Sequence, residues 1–346
     1  MEIVRSVTMD DVGPLWELIE QATYGLTTLK ITPEQLRERV ELSNFAFSRQ
    51  TEKPSGEPYI FVMEDIASGR LVGLSGIFSK TGGYEPFYSY RRVVEENYCK
   101  LLDKRRTVES LHLLKIHDGP TEIGSLFLSA DYRGHGRGKL LSLSRFAFMA
   151  AHPKRFAEEV IAEMRGVMDD EGNCPFWEAI GRHFFDMDFP QADSLSTLNK
   201  RFIEDLMPKY PIYTALLPAG ARQVMGEVHH QTRPALAMLE AEGFHKTDMI
   251  DIFDGGPVVK CVRTEIDAVR RTWRGQVREV VSQLEAPMQI VAADRGTFRS
   301  MLASATNEED KEGVVLERTT AEILQVQVGD SVLIMPLRPV EPQAVS

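Results

Sequence analysis

The order in which hydrophobic periodicity changes along this chain restricts its fold more than any other feature. An alternating run over residues 3–7 reads as a short strand. Thr8, with Asp11 three places on, forms a capping box, and Val12, Leu15, Trp16, Ile19 and Ala22 continue at helical spacing. A second helix starts near Pro33 and carries Leu36, Val40 and Phe47, and a loop follows over 53–58. Two strands, 59–64 and 71–78, flank the hairpin turn Ala67-Ser-Gly69, and further strands fall at 107–116 and 123–128. Strand, helix, helix and then successive strands is not the alternation of a doubly wound parallel sheet. The expected class is α+β, with a mixed, largely antiparallel sheet flanked by helices.

Beyond residue 128 the chain carries Tyr132-Arg-Gly-His-Gly-Arg-Gly138, then a helix with Leu140, Leu143, Ala147 and Ala150 on one face. A strand at 160–164, a turn at 169–172 and a short helix at 175–180 follow. A looser copy of that unit runs from Val228 through Thr232 and Pro234 into a helix over 235–242, closed by Gly243-Phe244. Both units put Pro at the helix start and Gly past its end. Internal duplication and chance likeness account for the pair equally well. From residue 286 short β-like runs occur at 289–292, 300–305, 313–316, 325–328 and 332–335, separated by Asn307-Glu-Glu-Asp310 and Gly329-Asp330. They suggest a small β-barrel-like appendage before a frayed tail at 339–346. With 346 residues the chain exceeds one typical core. The expected division is 1–190, 191–284 and 285–346, the middle part completing the site of the first.

Composition removes several classes of function. A net charge of −11 argues against an extended nucleic-acid surface, and Arg263, Arg270, Arg271, Arg274 and Arg278 read as a solvated helix face. No apolar run approaches the roughly 18 residues of a membrane span. The N-terminal residues lack the apolar stretch of a signal peptide. The three cysteines, Cys99, Cys174 and Cys261, have no paired spacing, so neither a disulfide framework nor a metal site is expected. A cytoplasmic protein fits these features.

The glycine-rich string is where chemistry enters. Between a strand and a helix, glycines permit a tight turn whose backbone N–H groups converge on one anion, and the helix N-terminus adds partial positive charge. Walker A and dinucleotide spacings both fail here. Arg133-Gly134-His135-Gly136-Arg137-Gly138 does match Arg-x-x-Gly-x-Gly, and so resembles the pyrophosphate loop of GNAT acyl-CoA transferases.

Longer strings narrow the resemblance. Gly25-Leu-Thr-Thr-Leu29, Glu85-Pro-Phe-Tyr-Ser-Tyr-Arg91, Ala162-Glu-Met-Arg-Gly166, Pro175-Phe-Trp177 and His183-Phe-Phe-Asp-Met-Asp-Phe189 are similar to the arginine N-succinyltransferases. So are Phe202-Ile-Glu-Asp-Leu-Met-Pro208, Val228-His229 with Gln231-Thr232, and Asp251-Ile-Phe-Asp-Gly-Gly-Pro257. Residues 91–94 and 115–121 depart from that pattern. The resemblance implies a GNAT-like core that transfers a succinyl group from succinyl-CoA, as co-substrate and without metal, to the α-amine of L-arginine. It implies His229 as proton donor and Leu126 as an acyl-CoA contact, with Arg133, Gly134, Gly136, Arg137 and Gly138 as the phosphate cradle. Many GNAT enzymes use a Tyr where this chain has Trp177, which cannot donate a proton in that way. For a basic amino-acid acceptor, Glu122, Glu163, Arg165, Asp186 and Asp188 are candidates, each also a natural ion-pair partner. His183, and the Phe87, Tyr88 and Tyr90 group, read first as packing. Ornithine, another amine or another acyl-CoA is the alternative chemistry, and a non-catalytic subunit of a paired enzyme is the alternative class. Self-association or pairing with a paralogous subunit also follows from the resemblance; nucleic acid and membrane partners do not.

Overall fold

The computed structural model describes residues 1–21, 32–83, 85–169, 171–196, 200–306 and 313–337. The string Gly25 to Leu29, the loop Asn307 to Asp310, position 170 of the turn at 169–172 and the tail at 339–346 lie outside the described residues.

In chain order the strands are β1 (Glu2–Ser6), β2 (Pro58–Asp65), β3 (Arg70–Phe78), β4 (Phe87–Cys99), β5 (Lys104–Ile116), β6 (Thr121–Leu128), β7 (Glu159–Glu163) and β8 (Ile212–Tyr213). They continue with β9 (His245–Ile250), β10 (Pro257–Val262), β11 (Trp273–Val281), β12 (Met288–Asp294), β13 (Phe298–Ser304), β14 (Val314–Glu317) and β15 (Ser331–Pro336). They join edge to edge in the order β14-β11-β15-β12-β13-β1-β2-β3-β6-β7-β10-β9-β4-β5-β8. Every pairing is antiparallel except β6 with β7 and β11 with β14. The fold is therefore mixed α+β around a large, mostly antiparallel sheet.

Three helices set the N-terminal half: α1 (Val12–Glu20), α2 (Pro33–Ser48) and α3 (Arg137–Ala151). At the first, the Thr8 hydroxyl and backbone N–H both donate to the Asp11 carboxylate, which also takes two hydrogen bonds from Arg5 at 2.7 and 2.8 Å. At the second, Thr32 accepts from the Gln35 N–H while Gln35 accepts from the Thr32 N–H, and Pro33 opens the first turn. Sequence periodicity gives α3 one apolar face, but Leu140 through Met149 are all buried. The cause is a second partner. Besides β1, β2 and β3, strands β12, β13 and β15 pack on α3. Phe148 meets Phe47, Phe61 and Phe298 edge-on at 5.1–5.5 Å, joining residues from the two ends of the chain in one core.

The C-terminal strands extend the main sheet, since β13 pairs with β1 through Val4–Ser300 and Arg5–Arg299. A single isolated bridge, Ala305–Leu316, brings the end of β13 back towards β14. Residues 325–328 are not a strand. Gln325, at φ +58°, caps the helix Arg318–Leu324, and the Val326 N–H bonds back to the Ala321 carbonyl at 2.9 Å. The Arg-rich stretch is not one helix face either: Arg274 and Arg278 lie on β11, whereas Arg271 turns inward. Strand β4 carries little sequence signal, because its outer half alternates nothing apolar, yet it pairs with β5 along its full length from Phe87–Ile116 to Cys99–Lys104.

Arg271 ties the C-terminal strands to the middle of the chain. Its guanidinium donates to both oxygens of buried Glu242 at 2.8 and 2.9 Å, to Asp267, and to the Pro336 carbonyl. Removing the cation strands a desolvated carboxylate. Arg271→Met should destabilise the protein by about 3 kcal/mol, and Glu242→Gln in the same background should recover part of the loss; urea titration of the two variants measures both.

Candidate functional site

Strand pairing fails at one place in the middle of the sheet. Strands β6 and β7 run parallel, yet they share only the pairs Thr121–Val160 and Glu122–Ile161. Strand β7 then stays with β10, while β6 stays with β3. Within β6 the register against β3 slips between Leu74–Phe127 and Gly76–Gly124, and Ser125 takes a positive φ of +51°. One extra residue on β6 is a bulge, which bends the strand away from its neighbour. Past Glu122 the backbone of β6 consequently faces a gap rather than a strand. Beneath the bulge, buried Arg145 of α3 donates to the Gly124 carbonyl at 3.4 Å and to Ser142. Burial pulls its guanidinium down to about 9.

Leu126 sits in the stretch of β6 that β7 does not pair with, its side chain half-buried against the main core. A short turn, Ala130–Tyr132, leads to the glycine bend. Gly134, His135 and Gly136 all have positive φ, at +98°, +51° and +77°, and α3 begins at Arg137. The Gly136 carbonyl accepts from the Leu140 N–H at 2.8 Å, so the helix is already under way there. The Arg137 N–H is taken by the Gly134 carbonyl at 3.1 Å, so the first-turn amides without a helical partner are those of Gly138 and Lys139. Side chains leave the bend open: a methyl group added at Gly134 or Gly138 would meet no atom within 4 Å. Arg133 is on the surface, its Nε donating to the Leu128 carbonyl at 3.4 Å. Arg137 is held by Glu2 at 2.6 Å and lies over the Tyr132 ring. Thus the residues 126, 133, 134 and 136–138 do converge on the end of β6.

Next to the gap lies a cleft of about 360 Å³. Glu122, Gly124 and Ser125 of β6 line one side, Glu163, Met164 and Arg165 line the other, and Phe87 and Tyr88 reach it from β4. The loop 251–254 closes one wall. It folds on itself: Asp251 accepts from the N–H groups of Phe253 and Asp254 at 2.7 and 2.8 Å, and Asp254 accepts from Gly256 at 2.8 Å. It can lie this close to β7 because position 256 is glycine. A Cβ there would stand 2.0 Å from the Met164 carbonyl oxygen.

Charge in the cleft is unevenly matched. Arg165 bonds Asp193 at 3.0 Å and lies 3.6 Å from Asp254. Burial works against its charge, but these carboxylates more than offset it. Glu163 has no such partner, and its Oε1 is buried with no hydrogen bond. Its carboxyl is held well above the usual range, first by burial and then by Asp251 and Glu122. Glu122 is raised by burial, against some relief from Lys200. Asp251 is raised by burial and by the Asp254 charge. Three carboxyl groups are therefore poorly solvated, and their charged forms are disfavoured. Of the sequence candidates for an acceptor site, Glu122, Glu163 and Arg165 are here. Asp186 and Asp188 are not: Asp188 bonds Arg182 at 2.6 Å on the surface, and Asp186 ends the helix Gly181–Phe185 at φ +49°. Asp251 and Asp254 were missed as site residues, although the pair Gly255-Gly256 signals a close backbone approach.

His229 is 7% exposed and lies beyond the end of β7. Its backbone N–H donates to the Arg165 carbonyl at 2.8 Å, and Val228 bridges Gly166. The ring caps the turn His230–Thr232 by accepting at Nδ1 from the Gln231 N–H at 3.3 Å. With Nδ1 accepting, the ring proton is on Nε2. Trp177 is a packing residue, stacked between Phe185 and Phe253 with its N–H on the Met187 carbonyl. Among the described residues no three His, Cys, Asp or Glu side chains are disposed to hold a metal ion, and no helix is long and apolar enough to cross a membrane.

The site thus consists of a bent strand opening onto a glycine-rich helix entry, with a cleft lined by carboxylates and cations beside it. Comparison with known proteins names the family. The family model "Arginine N-succinyltransferase beta subunit" matches residues 2–268, and that of its C-terminal domain matches 274–336. The chain belongs to the arginine N-succinyltransferase family. It is 40% identical over 336 residues to the arginine N-succinyltransferase subunit beta of Pseudomonas aeruginosa, covering 97% of this chain and 98% of that one. The arginine N-succinyltransferase of Citrobacter koseri is 39% identical over 343 residues, with the same coverage. Among solved structures, the arginine/ornithine succinyltransferase subunit AI of Pseudomonas aeruginosa superimposes with a TM-score of 0.89 at 31% identity, covering 98% of this chain and 99% of that one.

The raised carboxyls make a stability prediction. A carboxyl whose pKa rises on folding binds more protons in the native state, so stability is greatest below its unfolded value of about 4.3 and falls as pH climbs through the folded value. Thermal unfolding of the ligand-free protein should therefore show the melting temperature declining from pH 5 towards pH 8, and Glu163→Gln should flatten that decline.

Proposed function

We propose that this protein transfers the succinyl group of succinyl-CoA to the α-amine of L-arginine, releasing CoA, as a step of arginine catabolism in the cytoplasm. One observation carries the reading: the backbone gap between β6 and β7 leads directly into the Gly134–Gly138 bend. The GNAT-like arrangement follows from it. The diphosphate is cradled by the amides of the bend and the first turn of α3, with Arg133 beside them. Arg137 braces the bend through Glu2 and Tyr132. The pantetheine arm lies along Leu126, bonding the backbone that β7 leaves unpaired, much as an added strand does. That path directs the thioester towards the cleft.

In the reaction the acceptor's ammonium loses a proton, the neutral amine attacks the thioester carbon, and the tetrahedral adduct expels CoA as a thiolate. His229 directs its Nε2–H at that sulfur as the proton donor and, as it gives the proton up, takes one of the two that the ammonium loses on becoming an amide, so that no imidazolate forms and the second proton leaves to solvent. Its backbone bond to Arg165 and the Gln231 N–H fix the ring beside the cleft wall. Direct attack leaves the cysteines without a part, and Cys174, buried and pushed up to about 12 by burial and by Asp254, would be a poor nucleophile. Ornithine is the second acceptor to weigh, because the solved relative carries both amino acids in its name. Assembly with further copies or with a paralogous subunit belongs to the same proposal, the family being described as a beta subunit.

Thiol release from succinyl-CoA, measured against a panel of amines, tests the reading: arginine-dependent release supports it, and no release with any amine ends it. His229→Ala should lower kcat by about 10²–10⁴-fold while calorimetry finds the Kd for CoA unchanged. Gly136→Val, at a positive φ that a β-branched residue resists, should raise the Kd for CoA at least tenfold; an unaltered Kd would remove the bend from the site.

A further inference from the structure

The proposed reaction leaves unassigned the buried carboxyls at the inner end of the cleft, and their placement distinguishes substrates. Arg165 consumes Asp193 and Asp254. Glu163 is left over, with its Oε1 buried, lacking a hydrogen bond, and belonging to a residue that lines the cleft. Glu122 and Asp251 face the same space, and Arg39, Lys80, Arg165 and Lys200 are the cations that line it, none of them hydrogen-bonded to the Glu163 Oε1. We propose that Glu163, with Glu122 and Asp251, is the receptor for the acceptor's guanidinium and sets the enzyme's preference for a long, planar cationic side chain.

Three arguments converge. An unpaired buried oxygen costs free energy until a donor reaches it, and no side chain among the described residues hydrogen-bonds the Glu163 Oε1. A guanidinium offers five N–H donors in one plane and so can serve several carboxylates together, which a compact ammonium does less well. Spacing agrees as well. His229 is tied to the Arg165 backbone, two residues beyond Glu163 on the same chain segment. Two residues of extended chain span roughly 6–7 Å, the reach of an extended arginine side chain. An amine held beside His229 therefore sets the guanidinium at Glu163. Ornithine, lacking the two terminal heavy-atom positions, falls short of it.

The inference rests on the acyl-transfer reading, and the experiment separates them. Arginine, ornithine and citrulline, the last neutral but nearly the same shape as arginine, are compared as acceptors for the wild type and Glu163→Gln. The expected result is a rise in KM for arginine of roughly 10- to 100-fold, with KM for succinyl-CoA unmoved and the loss falling on KM rather than kcat. The wild type should also reject citrulline more strongly than the variant does. An unchanged KM for arginine, or a loss confined to kcat, overturns the proposal, since the latter would place Glu163 on the reacting amine. If the wild type transfers nothing, direct calorimetry of arginine with the protein still decides the point. Binding should release protons, seen as a dependence of the heat on buffer ionisation, and Glu163→Gln should weaken binding; equal affinity of wild type and variant refutes it. Asp251→Asn replaces Glu163→Gln in both arms should the latter not fold.

Discussion

Two residue pairs of parallel ladder, Thr121–Val160 and Glu122–Ile161, hold β6 beside β7, and the site exists because the ladder stops there. Each strand is captured by its other neighbour: β7 by β10 over five pairs, and β6 by β3 across a bulge. Neither can relax towards the other without giving up those hydrogen bonds. The gap is thus set by the sheet itself, which leaves the far part of β6 without β7 as a neighbour in the middle of a large sheet. Edges of this kind normally invite another strand. Here the bend after β6 and the entry to α3 lie at the end of that stretch, where the proposed function places the coenzyme's diphosphate.

The rest of the architecture supports that opening. α3 is buried on more than one face, with β1 to β3 on one side and the C-terminal strands on another, so the helix that follows the glycine bend is held in place. Its buried Arg145 braces the Gly124 carbonyl at the bulge from below. The loop 251–256 supplies the cleft's far wall, its acidic side chains fixed by its own backbone amides. The same carboxyls make the unliganded protein less stable than an apolar lining would. A site that keeps poorly solvated charges in place before its substrate arrives binds that substrate without reorganisation.

Much of this was legible in residues 1–190. Strong alternation gave β1 to β3, the capping residues Thr8 and Pro33 gave the helix starts, and glycine spacing gave the bend. The residues read as a phosphate cradle, together with Leu126, lie in succession on β6, the glycine bend and the start of α3. What escaped had physical causes. The outer half of β4 is charged because it stands in solvent, so alternation could not reveal it. The alternation at 325–328 comes from Gln325 capping a helix and Val326 folding back on it, not from a strand. The cleft carboxylates are far apart in sequence: Glu122 and Glu163 meet through a parallel pairing, and Asp251 arrives through a glycine-permitted contact with Met164. Long-range placement of that kind leaves no local pattern, and so Asp186 and Asp188 looked as good as Glu122 and Glu163 until the fold set them apart.

Hydrogen exchange of individual backbone amides, with and without CoA, reads the central claim where it resides. Binding in the β6–β7 gap predicts slowed exchange in two stretches, the unpaired backbone around Leu126 and the bend with the first turn of α3 through Lys139, while β12 and β13 are unaffected. If CoA binds and those two stretches exchange as fast as before, the ligand lies elsewhere on the molecule and the account of the gap is wrong.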